Sequence, residues 1–323
     1  WSSDVCSSDL MSWRFWKKKK VIVTHSGSFH TDDVFAAATL TLWLDQQGER
    51  YTIIRSREPQ VIATADYVFD VGGEYDHARG RYDHHQPEGA GEHDNGIAYA
   101  AFGLVWKHYG LEVSDRNHEV WQAINRALVA PIDASDNGQD LYTLNEFQTQ
   151  PIWLQDILKY FPEAYGKEKD VAFRNLVAWA RKFILARIEK ESERSIARQE
   201  LLEEALTQTG ARVIVLEGNY SRDIIWQTLV PRDDMSDVVY VVYSNDKYRD
   251  EIWNIVGMRD DLVQKGTRLP FPQTWCGKEK EELDQLSGVE GMKFCHRTGF
   301  LAGATTKESA IAFAHKALEV NQQ

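Results

Sequence analysis

The sequence predicts an α/β protein of two domains joined by a long helical connector. Three observations carry that expectation. The first part of the chain runs strand–helix–strand–helix–strand, apolar residues keep helical spacing from Lys169 to about Gln208, and a new strand-rich unit begins at Arg212. The expected boundaries are 21–165 for the first domain, 166–210 for the connector and 211–323 for a smaller α/β second domain.

Each element has its own reason. Val21-Ile22-Val23-Thr24 is a β-branched run and reads as a buried strand. A Gly-containing loop follows, then a helix over Val34 to Leu44 with Thr31 or Asp32 as N-cap. Tyr51 to Ile54 is the next strand, a short helix follows Pro59, and Tyr67 to Asp70 is a third strand ended by Gly72-Gly73. Glu74 to Tyr82 is polar and turn-rich, a hairpin or excursion that delivers Asp83-His84-His85. Ile97 to Tyr109 predicts a helix stopped by Gly110, and Arg116 to Ala130 another ended by Pro131, which would leave Asp133 and Asp136 in irregular backbone. The connector carries the stripe Phe173, Leu176, Val177, Ala180, Phe183, Ile184 and Ile188, as one helix or two. Beyond it, 212–217, 238–243, 252–258 and 293–296 read as strands, and 307–318 as a closing helix.

With 323 residues, 43% hydrophobic and 27% charged, the chain can bury a large core without staples. A net charge of −12 opposes a basic, nucleic-acid-wrapping surface, yet leaves room for a local phosphate site whose positive charge a metal supplies. Cys6, Cys276 and Cys295 are too few for a disulfide framework, which suits a reducing cytoplasm, and no apolar run reaches membrane-span length. Residues 1–10 look foreign, resembling a translated sequencing-adapter end, so the natural start is expected at Met11, with a basic N-terminal arm to residue 20.

The chemistry concentrates in four segments. His25, His30 and Asp32 follow the first strand, Asp70 ends the third, Asp83-His84-His85 closes the excursion, and Asp133 and Asp136 follow a helix. In open α/β sheets ligands bind at the carboxyl ends of strands. So many imidazoles and carboxylates exceed what one ion needs. Two divalent ions about 3.5–4 Å apart, bridged by a carboxylate such as Asp70, account for the set, acidify water and clamp both oxygens of an in-line phosphoryl displacement. Mixed nitrogen and oxygen ligands favour Mn²⁺ over Mg²⁺, which stays the alternative. Each piece alone has a plainer use, as loop histidine, helix cap or turn. Together, at one sheet edge, they predict a site. His77, His93, His108, His118 and His315 lack partner spacing and read as surface or core fillers.

With those residues in view, the chain resembles the DHH phosphoesterase superfamily, and within it the MYG (melanocyte-proliferating gene) exonuclease family. The marks are His25-x-Gly27-x-Phe29-His30-x-Asp32, Asp70-Val-Gly-Gly-Glu-Tyr-Asp76, Arg81-Tyr-Asp-His-His-Gln86, Ile132-Asp-Ala-x-Asp-Asn-Gly138 and Phe294-Cys-His296-Arg-x-Gly299-Phe300. The resemblance implies His25, His30, Asp32, Asp70, His84 and Asp133 as metal ligands, with Asp136 the alternative to Asp133. It implies His85, with Asp83, at the phosphate, and His296, Arg297 and Gly299 at the substrate. Better-known superfamily members usually carry Asp where this chain has His30. Eukaryotic family members are regarded as 3′-to-5′ RNA exonucleases, so the implied function is phosphodiester hydrolysis on single-stranded RNA or, given the acidic chain, short oligonucleotides. The rivals are a phosphatase or pyrophosphatase on a small compound, and a non-catalytic metal- or nucleotide-binding protein. The sequence leaves oligomeric state open, a homodimer being one option.

Overall fold

The computed structural model describes residues 18–144, 146–160, 168–244, 252–263 and 266–321, so residues 1–10 and most of the basic arm lie outside it. The fold is mixed α/β with two five-stranded sheets, and the chain divides into two compact units between Ser192 and Glu193.

The first unit has the sheet order β2-β1-β3-β5-β4, formed by β1 (Lys20–Thr24), β2 (Tyr51–Arg55), β3 (Tyr67–Phe69), β4 (Tyr75–Asp76) and β5 (Arg81–Tyr82). β2, β1, β3 and β5 are parallel, and β4 pairs antiparallel with β5, closing a short hairpin. The register sets Val23 beside Ile54 and Val68, so the central strands end together. The chain leaves β1 for β2 on one side and then crosses to β3 on the other. That reversal opens a crevice at the carboxyl ends of β1 and β3.

Helix α1 (Thr31–Gln46) starts earlier than the sequence suggests, with His30 as N-cap residue and Asp32 inside the first turn. Asp33 Oδ1 accepts from the His30 backbone N–H at 3.0 Å, fixing the entry of the helix. Val34, Phe35, Ala36, Ala37, Ala38 and Leu40 are fully buried, so α1 is enclosed on nearly every side rather than amphipathic. The alanines let neighbouring helices approach, and Phe35 meets Phe102, Trp179 and Phe183 edge-on or tilted. After β2, Pro59 opens the short helix α2 (Pro59–Ala63).

Two helix ends fall elsewhere than expected. Helix α3 (Ala101–Val105) passes through a π-helical turn, Trp106–Gly110, into α4 (Leu111–Val113), so Gly110 does not stop it. A Cβ on Gly110 would come within 2.4 Å of the Trp106 indole, so this glycine makes room for the ring instead of ending the helix. Likewise α5 (His118–Ile124), capped by the Asn117 side chain, runs through a π-turn, Asn125–Val129, into α6 (Ala130–Asp136). The wider turn frees Pro131 from the usual clash with the preceding carbonyls, and it sits at the start of α6 where no N–H is needed. Asp133 and Asp136 are therefore helical, not irregular. A short helix, α7 (Leu154–Lys159), follows.

The connector is one unbroken helix, α8 (Lys169–Leu206). Its Phe173, Leu176, Val177, Ala180, Ile184 and Ile188 join the first unit's core, whereas Leu201 and Ala205 join a core of the second unit. The second unit has the sheet order β6-β7-β8-β10-β9: β6 (Val213–Asn219), β7 (Tyr240–Ser244), β8 (Trp253–Gly257), β9 (Met292–Cys295) and β10 (Leu301–Ala304). Only β6 and β7 are parallel. Among the described residues of this unit, the strand β10 and the helices α9 (Arg222–Leu229) and α10 (Lys280–Ser287) escape the sequence reading, as α7 does in the first unit. Leu301-Ala-Gly-Ala304 has too little β-branched bulk to announce a strand, and it pairs because β8 and β9 flank it. The closing helix α11 (Lys307–Val320) buries Ala310, Phe313, Ala314 and Ala317.

Candidate metal centre

The first sheet delivers chemistry at its carboxyl edge. His25 follows β1, Asp70 follows β3, and Asp83, His84 and His85 follow β5, while α1 supplies Asp32 and α6 supplies Asp136. Asp70 adopts a left-handed backbone (φ 55°), which Asp tolerates better than most L residues. Its Oδ2 lies 3.1 Å from His25 Nε2 and its Oδ1 3.4 Å from His84 Nε2. One carboxylate thus shows one oxygen to each imidazole, which is the geometry of a bridge. His84 Nε2 also stands 3.3 Å from Asp136 Oδ2, and His30 Nδ1 3.6 Å from Asp136 Oδ1. Three close groups of ligand atoms result: His25, His30 and Asp70; His30, Asp32 and Asp136; and Asp70 with Asp83, His84 and His85. Asp70 and His30 are the shared members.

Second contacts decide which nitrogen each histidine presents. His25 Nδ1–H donates to the Ser26 carbonyl at 3.2 Å, His84 Nδ1–H to Asn137 Oδ1 at 3.2 Å, and His85 Nδ1–H to Asp83 Oδ1 at 2.7 Å. In the neutral imidazole each such bond leaves the Nε2 lone pair for a cation, the arrangement found behind metal-bound histidines. The Asn137 amide is itself oriented, because its Nδ2 donates to the carbonyls of Ala98 and Asp133. Asp83 is nearly buried, accepting from Gly73 N–H at 2.5 Å and His84 N–H at 2.8 Å, so it holds the loop and aims the mostly exposed His85.

These residues fit divalent cations. Asp32 is fully buried, and neither carboxylate oxygen has a hydrogen-bond partner among the described residues. Burial, followed by the charges of Asp70, Asp136 and Asp33, pushes its carboxyl well above the usual range. Burial works against protonating His25 and His84, but Asp33 and Asp70 for the first, and Asp136 and Asp70 for the second, outweigh it and raise each to about 10. Burial would raise Asp70, yet those two imidazoles hold it at about 2. In the ion-free chain, protons offset a carboxylate excess that cations would otherwise offset. The 3.1–3.4 Å donor separations also match cis ligands about 3 Å apart around an ion with bonds of about 2.0–2.1 Å.

Asp133, preferred over Asp136 on spacing, lies outside these groups. Its Oδ2 pairs with His93 Nε2 at 2.8 Å and its Oδ1 accepts from Gly103 N–H at 3.0 Å, with burial raising its carboxyl to about 6. Both aspartates lie on α6, but Asp133 meets His93 and the start of α3, whereas Asp136 meets His30 and His84. His93, read as a filler, is the buried partner of Asp133. His77 and His108 stack on each other with ring centroids 3.7 Å apart, and bond Tyr82 and Tyr75 respectively.

A family model, MYG1_exonuc, described as an uncharacterised protein family (UPF0160), matches residues 21–318. The chain belongs to this family. The MYG1 protein of Dictyostelium discoideum is 26% identical over 92% of this chain and 96% of its own length. The MYG1 exonuclease of Homo sapiens is 27% identical over 92% of this chain and 85% of its own. Among solved structures, a pGpG-specific phosphodiesterase from Vibrio cholerae aligns over 94% of this chain and 99% of its own at 14% identity, with a TM-score of 0.30.

Within the family's matched span, several residues near the cluster carry no mark that the sequence reading could use. Asp33 stands 3.1 Å from His25 Nε2, and only its adjacency to Asp32 hinted at it. The Arg55 side chain is 2% exposed, lies between the Phe29 and Phe173 rings and donates to the Gly27 carbonyl, pinning the His25–His30 loop. Two cavities flank the cluster. One of about 260 Å³ is lined by His30, Asp32, Ser135, Asp136, Gln155 and Lys159; the other, about 340 Å³, by His25, Arg57, Asp70, Gly73, Asp83 and His85. In the second unit, His296, Arg297 and Gly299 form the tight turn between β9 and β10. Gly299 has φ 68° and packs against Phe271 and Cys276, so it has a structural reason of its own.

Proposed function

We propose that this chain is a metal-dependent phosphodiester hydrolase, a 3′-to-5′ exonuclease acting on single-stranded RNA or short oligonucleotides. The observation that carries the reading is Asp70 with one oxygen toward His25 and the other toward His84, beside the buried carboxylate of Asp32, which accepts from no N–H or O–H donor among the described residues. The exonuclease names of the bovine, human and rodent relatives support it. His25, His30, Asp32 and Asp70 would hold one ion, and Asp70, His84 and Asp136 the second, with Mn²⁺ favoured over Mg²⁺ by the imidazole content. When bound, such a pair supplies Lewis acidity toward phosphoryl oxygens and acidifies water for attack on phosphorus.

The chain's own residues supply the rest. Asp83 holds the His85 Nδ1 proton, so His85 turns Nε2 outward toward the place of a phosphoryl or leaving oxygen. Ser26 and Asn137 keep His25 and His84 facing the carboxylates. The −12 charge favours short chains over long polymers, which need a basic track.

The test is metal-loaded full-length protein incubated with end-labelled RNA, DNA and dinucleotides. A ladder shortening from the 3′ end supports the proposal. Phosphate release from mononucleotides, with the polymers left intact, would transfer the site to a small-molecule phosphatase.

A further inference from the structure

Arg57 is assigned no role by the motifs, yet it occupies the same sheet edge as the ligands. β2 precedes it, its neighbour Ser56 donates its backbone N–H to the Thr24 carbonyl at 2.8 Å, and Pro59 starts α2 just after it. Across the order β2-β1-β3-β5, the carboxyl ends therefore present Arg57, then His25, then Asp70, then Asp83 to His85. The cavity of about 340 Å³ is lined by Arg57, His25, Asp70, Asp83 and His85 of this series, with Arg57 on the β2 flank and His85 on the β5 flank.

The pairing of Arg57 is what singles it out. Its Nε–H donates to the Ser26 carbonyl at 3.4 Å, and among the described residues no carboxylate lies within ion-pair distance of it. Arg57 is exposed and borders a cavity that also contains Asp70 and Asp83. Those carboxylates are already committed: Asp70 to His25 and His84, and Asp83 to Gly73, His84 and His85. Arg55, two residues earlier, is buried, pairs with Asp170 and holds the loop. Lys159 of the other cavity pairs with Asp156 at 3.6 Å. Arg57 thus keeps a planar fork of N–H donors free beside a cluster built for cations, and a fork of that shape matches two oxygens of one phosphoryl group.

We propose that Arg57 binds the phosphoryl group of the substrate, facing His85 across the ion cluster, so that the phosphate is gripped from both flanks. This inference rests on the phosphodiester reading for its substrate, but its ligand class, a phosphate anion, can be tested without turnover. Inorganic phosphate is titrated calorimetrically into Mn²⁺-loaded wild type, Arg57→Ala and Arg57→Lys, with metal content measured on each sample. The expected result is unchanged metal content, phosphate affinity about 10-fold or more weaker in Arg57→Ala, and partial recovery in Arg57→Lys, which keeps the charge but loses the fork. On a diester substrate kcat/KM should fall about 10²-fold in Arg57→Ala, as for loss of one transition-state donor. Equal phosphate affinity in wild type and Arg57→Ala would overturn the assignment, as would a wild type that binds no phosphate. A wild type that binds phosphate through Arg57 but cleaves no diester leaves the assignment standing and removes the hydrolase reading instead.

Discussion

Asp133 and Asp136 sit three residues apart on one helix, and the structure gives them opposite work. In Asp133→Ala the Gly103 N–H and the His93 ring nitrogen lose their acceptor inside the core. An unsatisfied buried donor costs about 1–3 kcal/mol, so the pair should cost about 2–6 kcal/mol. At roughly 2–4 °C per kcal/mol for a unit of this size, the thermal midpoint should drop by about 4–24 °C. Relief of a raised carboxyl offsets part of this at neutral pH, so the lower half of that range is expected. Asp136→Ala removes a partly buried carboxylate from a crowded anionic cluster, so the ion-free protein should lose little stability while its bound metal falls by one ion. The assays are thermal unfolding in chelator and metal content after loading and desalting. An Asp133→Ala protein of normal midpoint that has lost an ion, beside an Asp136→Ala protein that keeps both, would refute the reasoning.

Three more outcomes follow from the same geometry. His84→Ala should retain one ion instead of two and lose cleavage, and full activity in that variant would sink the two-ion proposal. Asn137→Ala frees the His84 tautomer, so metal affinity or activity should fall about 10- to 100-fold with little change in fold, measured by competition with a chromophoric chelator. For pH, His25 and His84 are raised from 6.5 to about 10, so their contribution is complete below pH 6.5 and is lost as pH rises toward 10. The raised Asp32 carboxyl acts in the same sense. Chelated protein should therefore lose thermal stability across pH 6.5–10, and Mn²⁺ should flatten that slope by replacing the protons; an equal slope with and without Mn²⁺ argues against an ion at these residues.

The strand–helix succession, the strand ends and the gathering of most candidate ligands at one edge were legible because they depend on short-range pattern. A β-branched run ending in His25, and another ending in Asp70, must bring both residues to one edge once the strands are parallel and adjacent. The helix ends were harder. Gly110 and Pro131 are stop signals in isolation, and both were overridden by π-turns that depend on packing of the Trp106 ring and on the run of buried residues through Leu128, Val129 and Ile132. Spacing after the preceding helix favoured Asp133, but helical residues three apart share a face, so the separation comes from partners on distant segments: His93 and Gly103 for Asp133, His30 and His84 for Asp136.

By itself, then, the sequence determined which residue types gather and at which edge, because strand periodicity and strand order are local and topological properties. Only the tertiary structure decided how they divide the work. It committed Asp133 to His93, left Asp32 without a donor, set the imidazole tautomers through Ser26, Asn137 and Asp83, and kept Arg57 clear of carboxylates. The physical reason is that a side chain's role here is fixed by which donors and acceptors remain unpaired after burial, and pairing across distant segments is a property of the packed chain alone.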